Sequence, residues 1–71
     1  MKLAWVKDYK YYRLSLQSNL FGTVDVICSW GSSISNQHGF KVIPCQTQED
    51  IDAVIEYVTK RRKSRGYTLL S

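Results

Sequence analysis

Residues 9 to 30, YKYYRLSLQSNLFGTVDVICSW, contain two runs of alternating apolar and polar side chains, joined by a short segment that includes a glycine. Alternation with a period of two is typical of half-buried strands, and a short Gly-containing connection is typical of a hairpin. The stretch therefore predicts an antiparallel hairpin registered about Asn19 and Leu20. Its apolar face would carry Tyr12, Leu14, Leu16, Val24, Val26 and Cys28.

A third short strand is predicted over residues 40 to 45, after a polar loop from Gly31 to Gly39. This strand contains Pro44, which cannot donate a hydrogen bond to a neighbour, so we expect it at a sheet edge or ending at that residue. Registering the second hairpin about its loop would add three residues to the apolar face, namely Trp30, Phe40 and Val42.

A helix is predicted to begin after Thr47, whose hydroxyl can cap free N–H groups, with Glu49 and Asp50 in the positively polarised first turn. Gly66 is the expected left-handed residue at its end, and residues 67 to 70 could form a short edge strand. The stripe that faces the sheet consists of Ile51, Val54, Ile55 and Val58. The predicted fold class is α+β: a small antiparallel sheet of three to four strands with one helix packed on one face.

Size and composition limit the functions open to this chain. Its 71 residues make one domain, spanning 1 to 71, with little room for a deep catalytic pocket. The apolar run at residues 3 to 6 is too short for a secretory signal, and no run is long enough to cross a bilayer. The two cysteines, Cys28 and Cys45, are expected to be reduced thiols. We expect a soluble, cytoplasmic protein that is a monomer.

Five cationic side chains lie at the end of the predicted helix, within a chain whose net charge is +4. A compact cationic patch favours polyanions, of which nucleic-acid backbones are the commonest. The same residues also stabilise a helix C-terminus through its partial negative charge, so both interpretations stay open. The residues are Lys60, Arg61, Arg62, Lys63 and Arg65.

Candidate catalytic groups are sparse, so we do not expect an enzyme. His38 is the only histidine and has no cysteine or second histidine at metal-ligand spacing. The carboxylates early in the helix serve its dipole, and no Gly-rich phosphate loop is present. We therefore expect no metal and no cofactor.

Several short motifs resemble the WGR domain, in its short stand-alone bacterial form: Tyr11-Tyr12-Arg13-Leu14, Leu20-Phe21-Gly22, Trp30-Gly31 and Arg65-Gly66-Tyr67. The resemblance covers residues 9 to 67. In DNA-damage-activated poly(ADP-ribose) polymerases this domain binds DNA ends through the signature Trp and Arg. The resemblance implies nucleic-acid binding with Trp30, Gly31 and Tyr67 at the site. Ser32 stands where the signature has Arg, and nothing resembles the polymerase catalytic domain.

The leading hypothesis is a non-enzymatic nucleic-acid-binding module, for DNA rather than RNA, that contacts ends or the phosphate backbone. It requires the Trp30 indole and the cationic helix end to share one surface. Four secondary candidates lie on or near the sheet face that the helix leaves uncovered, where they could stack bases and contact phosphates. They are Tyr9, Tyr11, Arg13 and Lys41. The alternative is that this face packs against the chain's own termini.

Two alternatives remain from the residues alone. The first is a protein-interaction module that has lost the DNA contact, suggested by Ser32 and the surplus of aromatic residues. The second is self-association through the edge strand near Pro44 or through the chain's tail.

Overall fold

The computed structural model describes residues 2 to 70, which form a small α+β protein with a five-stranded antiparallel sheet and one helix. The predicted fold class is confirmed, with one strand more than expected. The strand order across the sheet is β4-β3-β2-β1-β5. The elements are β1 (Lys2–Lys7), β2 (Lys10–Ser18), β3 (Val24–Ser32), β4 (His38–Cys45), α1 (Gln48–Ser64) and β5 (Thr68–Leu69).

Strand β1 was not predicted from the sequence. It pairs with β2 through a two-residue turn in which Asp8 has a φ of 55°, a left-handed conformation that Asp tolerates better than most residues. Its Trp5 is 2% exposed and meets the Tyr12 ring edge-on at 6.0 Å between centroids. An aromatic side chain of this size buries a large area, so β1 contributes much of the core.

The β2–β3 hairpin has the predicted apolar face, since Leu14 pairs with Cys28 and Leu16 with Val26. Its turn is centred on Phe21 rather than on Asn19 and Leu20, because the last pair of the ladder joins Ser18 to Val24. We call the sheet face that carries Leu14 and Val26 the helix face, and the opposite one the open face.

Strand β4 lies at the sheet edge, as its proline predicted, but its side chains are in the opposite phase from the one expected. Lys41 pairs with Cys28 and therefore lies on the helix face. Phe40 and Val42 lie on the open face, so their predicted place in the core is wrong. The polar loop expected from the sequence, residues 31 to 39, is too long to fix the register, whereas in the structure only residues 33 to 37 connect β3 and β4. A shift of one residue exchanges the two faces.

Helix α1 covers the helix face beside β3 and β4 and begins as predicted. The Thr47 hydroxyl accepts a hydrogen bond from the backbone N–H of Asp50 at 3.1 Å. Ile51 and Val58 are buried, and Val54 and Ile55 pack at the margin of the core. Across residues 2 to 70, this structure contains no helix with the length and apolar content required to span a membrane. The buried core consists of Trp5, Tyr12, Leu14, Val26, Cys28, Cys45, Ile51 and Val58.

Candidate nucleic-acid interface

The end of α1 folds as a Schellman motif, which positions two of the predicted site residues. The N–H of Gly66, whose φ is 83°, donates to the carbonyl of Lys63 at 3.0 Å. The N–H of Tyr67 donates to the carbonyl of Arg62 at 2.9 Å. The hydrogen bond from Tyr67 to Arg62 brings the side chains of these two residues together. The Gly-Tyr stop thus places an aromatic ring beside a guanidinium.

Arg62 lies between two tyrosine rings. Its guanidinium carbon is 4.2 Å from the centroid of Tyr12 and 4.9 Å from that of Tyr67, both within cation–π range. Its Nε is buried and has no hydrogen-bond acceptor within the described part of the chain. The side chain is therefore held by ring faces on both sides, and its charge is fixed in position.

Trp30 adds a further ring to this group on the helix face. Its ring stacks on Tyr12 at 6.0 Å between centroids and 13° between planes. It also lies over Gly39, the residue opposite it in β4, where a β-carbon would come within 2.8 Å of the indole. With 37% of its surface exposed, Trp30 is neither enclosed in the core nor free in solvent. The indole packs against Tyr12 and Gly39, and part of its surface remains exposed.

The indole and the cationic helix end share one surface. A shallow cavity of about 290 Å³ is lined by five residues: Tyr12, Trp30, Lys41, Arg62 and Tyr67. We call these five residues the aromatic–cation cluster. Of the five cations at the helix end, Arg62 lines this cavity together with the Trp30 indole.

Two further hollows adjoin the cluster. One, of about 230 Å³, is lined by Lys41 and Arg62 together with Arg61 and Tyr57 of the helix. The other, of about 330 Å³, lies at the end of the sheet, where Trp30 and Tyr67 are joined by Lys10, Tyr11, Gly31, Ser32, Gln37 and His38. Both share residues with the cluster: Tyr12, Lys41 and Arg62 line the first, and Trp30 and Tyr67 line the second.

Lys41 lies on the opposite face from the one predicted. It was expected on the uncovered face with Tyr11 and Arg13, but it lies on the helix face beside Arg61 and Arg62. Tyr11 and Arg13 are on the open face, and the Arg13 guanidinium is 4.8 Å from the Tyr11 ring centroid. Tyr9 belongs to the β1–β2 turn, where its carbonyl accepts a hydrogen bond from the Ser33 N–H at 2.8 Å.

The five cations of the helix end do not act as one group. Arg61 and Arg62 line the hollows around the cluster, whereas Lys60 forms an ion pair with Glu56 at 2.8 Å. That ion pair, chiefly through its hydrogen bond, lowers the pKa of Glu56 and raises that of Lys60. Lys60 follows Ile51 by nine residues, which places it roughly 180° around the helix from that buried side chain.

The other two cations differ as well. Lys63 is fully on the exposed side, and Arg65 is the C-cap residue, whose carbonyl accepts a hydrogen bond from Lys7 Nζ at 2.7 Å. The Lys7 ammonium thus satisfies a carbonyl at the negative end of the helix. Both Lys63 and Arg65 add to the positive field without lining the described hollows next to Trp30.

Lys10 is a candidate that the sequence argument missed. It pairs directly with Ser32 in the sheet and lines the same hollow as Trp30. Its position in the alternation matches that of Tyr12 and Leu14, so the pattern already assigned it to the helix face. Gly31 has a different role, because Tyr11 lies across it and a β-carbon there would come 2.5 Å from the Tyr11 hydroxyl.

Burial favours the neutral forms of Tyr12 and Cys45. Burial, and then the neighbouring Cys28 thiol, raises the pKa of Tyr12 far above its ordinary value. Burial likewise raises the pKa of Cys45. Among residues 2 to 70 no group of three or more His, Cys, Asp or Glu is placed to hold a metal ion. The arrangement combines a fixed positive charge with the faces of three aromatic rings.

Comparisons with protein-family models, with curated protein sequences and with solved structures find no match to this chain. The fold and the site define it as a small α+β protein with a cationic, aromatic surface at one end of its helix face. The resemblance to the WGR domain stays a prediction that rests on the motifs quoted above.

Proposed function

We propose that this chain is a non-enzymatic nucleic-acid-binding module, for DNA rather than RNA, and that the aromatic–cation cluster is its contact surface. The observation that carries the proposal is the shared hollow in which Trp30 and Tyr67 meet Lys41 and Arg62. Rings beside cations are the combination that stacks bases or sugars while neutralising phosphates. The free, buried thiols of Cys28 and Cys45 support a cytoplasmic location.

The geometry supports two kinds of contact in this proposal. The ammonium of Lys41 and the guanidinium groups of Arg61 and Arg62 would bind phosphate oxygens, and Arg62 is already fixed by its two rings. The exposed part of the Trp30 indole, with Tyr67 beside it, would take a terminal base or ribose. Lys60, Lys63 and Arg65 would contribute through the general positive field.

Lys10 could replace the cation that the WGR signature places at the third position. Ser32 occupies that position in this chain, and Lys10 lies directly opposite it. A lysine binds phosphate as a point charge, without the two-pronged geometry of arginine, so the contact would be weaker and less directional. A lysine in place of the signature arginine supports general binding to the backbone or to DNA ends over recognition of one base.

Affinity should be modest and strongly dependent on salt. Each neutralised phosphate contributes about −0.9 to the log–log salt slope on duplex DNA, so three or four contacts give a slope of about −3. Fluorescence anisotropy with labelled blunt, nicked and single-stranded DNA at about 50 mM salt tests the proposal. Binding weaker than about 1 mM to every form would overturn it.

A pair of charge-matched variants locates the site. Lys41→Gln with Arg61→Gln removes two charges from the cluster, whereas Lys60→Gln with Lys63→Gln removes two from the far side of the helix. We expect the first pair to weaken DNA binding at least tenfold and to reduce the salt slope by about 2. The second pair should change affinity much less. Equal effects would mean that binding follows net charge rather than the cluster.

A protein-interaction module without a nucleic-acid contact is the second candidate, favoured by the exposed Phe21 and Phe40 on a surface away from the cluster. A stoichiometric protein partner that survives nuclease treatment, together with no DNA binding by anisotropy, would select this candidate.

A further inference from the structure

We infer that the open face of the sheet is an interface for a second copy of this chain, forming a symmetric dimer through an apolar patch. The patch consists of Leu20, Phe21, Ile27, Phe40 and Val42. It lies on the opposite face from α1, at the β3–β4 side of the sheet and the tip of the β2–β3 hairpin.

The tip of the hairpin is an exposed apolar projection that is held in place. Leu20 is 100% exposed and Phe21 is 90% exposed. Asn19 fixes the loop beneath them, because its Oδ1 accepts hydrogen bonds from the N–H of Phe21 at 2.9 Å and of Thr23 at 3.2 Å. The Asn19 N–H also donates to the Thr23 carbonyl at 3.0 Å. A preorganised loop loses little freedom on association, which favours binding.

A hollow lies beside this projection on the same surface. It has a volume of about 440 Å³, and its apolar lining comes from Ile27 and Val42 of the sheet and from Leu20 and Phe21 of the hairpin tip. A two-fold symmetric interface needs one surface that is complementary to itself, so that the projection of each copy enters the hollow of the other. Phe21 of one copy against Ile27 and Val42 of the second copy meets that requirement.

The chain exposes more surface than a monomer of its mass is expected to expose. Its accessible surface is 5329 Å², whereas a monomeric protein of this mass is expected to expose about 4,500 Å². This excess of about 800 Å², summed over the whole chain, is comparable with the area that each partner buries in an interface of standard size. The radius of gyration, 12.7 Å, also exceeds the value of about 11 Å expected for a domain of this length.

Charge argues against nucleic acid as the occupant of the patch. None of its five residues is a cation, and the carboxylate of Asp25 lines the hollow. Across the strands, Phe40 pairs with Ser29, and Ser29 pairs with Arg13, which is the nearest cation in that direction. The Arg13 guanidinium lies over the Tyr11 ring. A phosphate backbone would meet apolar surface and a negative charge. The dimer would leave both aromatic–cation clusters exposed, since each lies on the helix face.

Sedimentation velocity of the nuclease-treated full chain, from about 1 to 500 μM, tests the inference. We expect a particle of about 16 kDa, twice the mass of the 8.2 kDa chain, to appear within that range. Phe21→Ser combined with Val42→Ser should weaken association at least tenfold. Ile34→Ser is the matched control, because Ile34 is 73% exposed but lies in the β3–β4 loop outside the patch. Circular dichroism verifies that each variant is folded.

The outcomes separate the possible occupants. A monomer at every concentration overturns the inference, and so does a dimer that the patch variants leave intact, which would indicate pairing through the edge strand β4. A dimer that appears only before nuclease treatment would be bridged by nucleic acid and would also overturn it. Because the patch and the cluster lie on opposite faces, the DNA-binding test of the monomeric variant reports separately on the proposed function.

Discussion

The guanidinium of Arg62 lies 4.2 Å from the centre of the Tyr12 ring, so the cationic helix end and the aromatic core are in direct contact. Tyr12 in turn meets Trp5 on one edge and stacks with Trp30. The buried Tyr12 ring therefore connects the charge of Arg62 to both tryptophans, the buried Trp5 and the partly exposed Trp30. Substitutions at these positions should affect stability and binding together unless the change is chosen to separate them.

Arg62→Met provides that separation. Methionine keeps an apolar stem between the two tyrosine rings and removes the buried Nε that has no acceptor among the described residues. We expect its free energy of unfolding in urea to stay within about 1 kcal/mol of the parent, whereas Arg62→Ala should lose about 1–2 kcal/mol of packing and cation–π energy. Both variants should bind DNA more weakly. Equal destabilisation by Met and Ala would show that the charge, not the stem, holds the rings.

Gly39→Ala should displace the Trp30 indole. The added β-carbon would lie 2.8 Å from the ring, which must then move and lose its stacking on Tyr12. We expect a loss of about 1–3 kcal/mol in unfolding free energy and stronger acrylamide quenching of tryptophan fluorescence. Gly22→Ala is the control, because its φ of 78° also makes alanine unfavourable but nothing lies within 4 Å. Unchanged quenching in Gly39→Ala would contradict the observed packing.

Local signals made the hairpin and the helix predictable. The alternation around Leu14 and Val26 and the cap at Thr47 depend on residues close together in the chain, and each of them folds as expected. The Gly66 stop also behaves as predicted, because a left-handed residue at that place needs no distant partner. The hairpin, the helix cap and the helix stop could be derived from the sequence because each depends on residues close together in the chain.

Long-range pairing explains the errors. Strand β1 is short, and only its pairing with β2 and β5 shows that Trp5 is a core residue. The phase of β4 depends on the conformation of a polar loop, so Lys41 and Phe40 were assigned to exchanged faces. The register of β4 places Lys41, a secondary candidate from the sequence, on the helix face beside the site, whereas Lys10 was missed although the alternation of β2 already assigned it to that face.

Asn19→Ala should loosen the hairpin tip. The variant loses the side-chain acceptor for two backbone N–H groups, those of Phe21 and Thr23. We expect a loss of about 1–2 kcal/mol in the free energy of unfolding, measured with urea. Dimerisation should weaken as well, because the tip would no longer be preorganised. Asn36→Ala, in the other hairpin loop, is the control, and an equal loss there would contradict a special role for Asn19.

Stability should fall at alkaline pH because of Tyr12. Burial and the adjacent Cys28 thiol raise the pKa of this phenol in the folded protein well above the ordinary value of 10.0. Above about pH 10 the unfolded chain therefore releases a proton that the folded chain retains, and proton release favours unfolding. The stabilising effect is fully present below pH 10 and is lost as pH rises toward the folded pKa.

Tyr12→Phe isolates this effect, because it keeps the ring that packs against Trp5, Trp30 and Arg62 but removes the ionisable hydroxyl. Urea unfolding at intervals from pH 8 to 11 should show a smaller decline above pH 10 for Tyr12→Phe than for the parent. Tyr57→Phe, at an exposed helix position, should retain the parental decline. If Tyr12→Phe declines as steeply as the parent, the alkaline loss arises from other groups, and the buried phenol is not the cause.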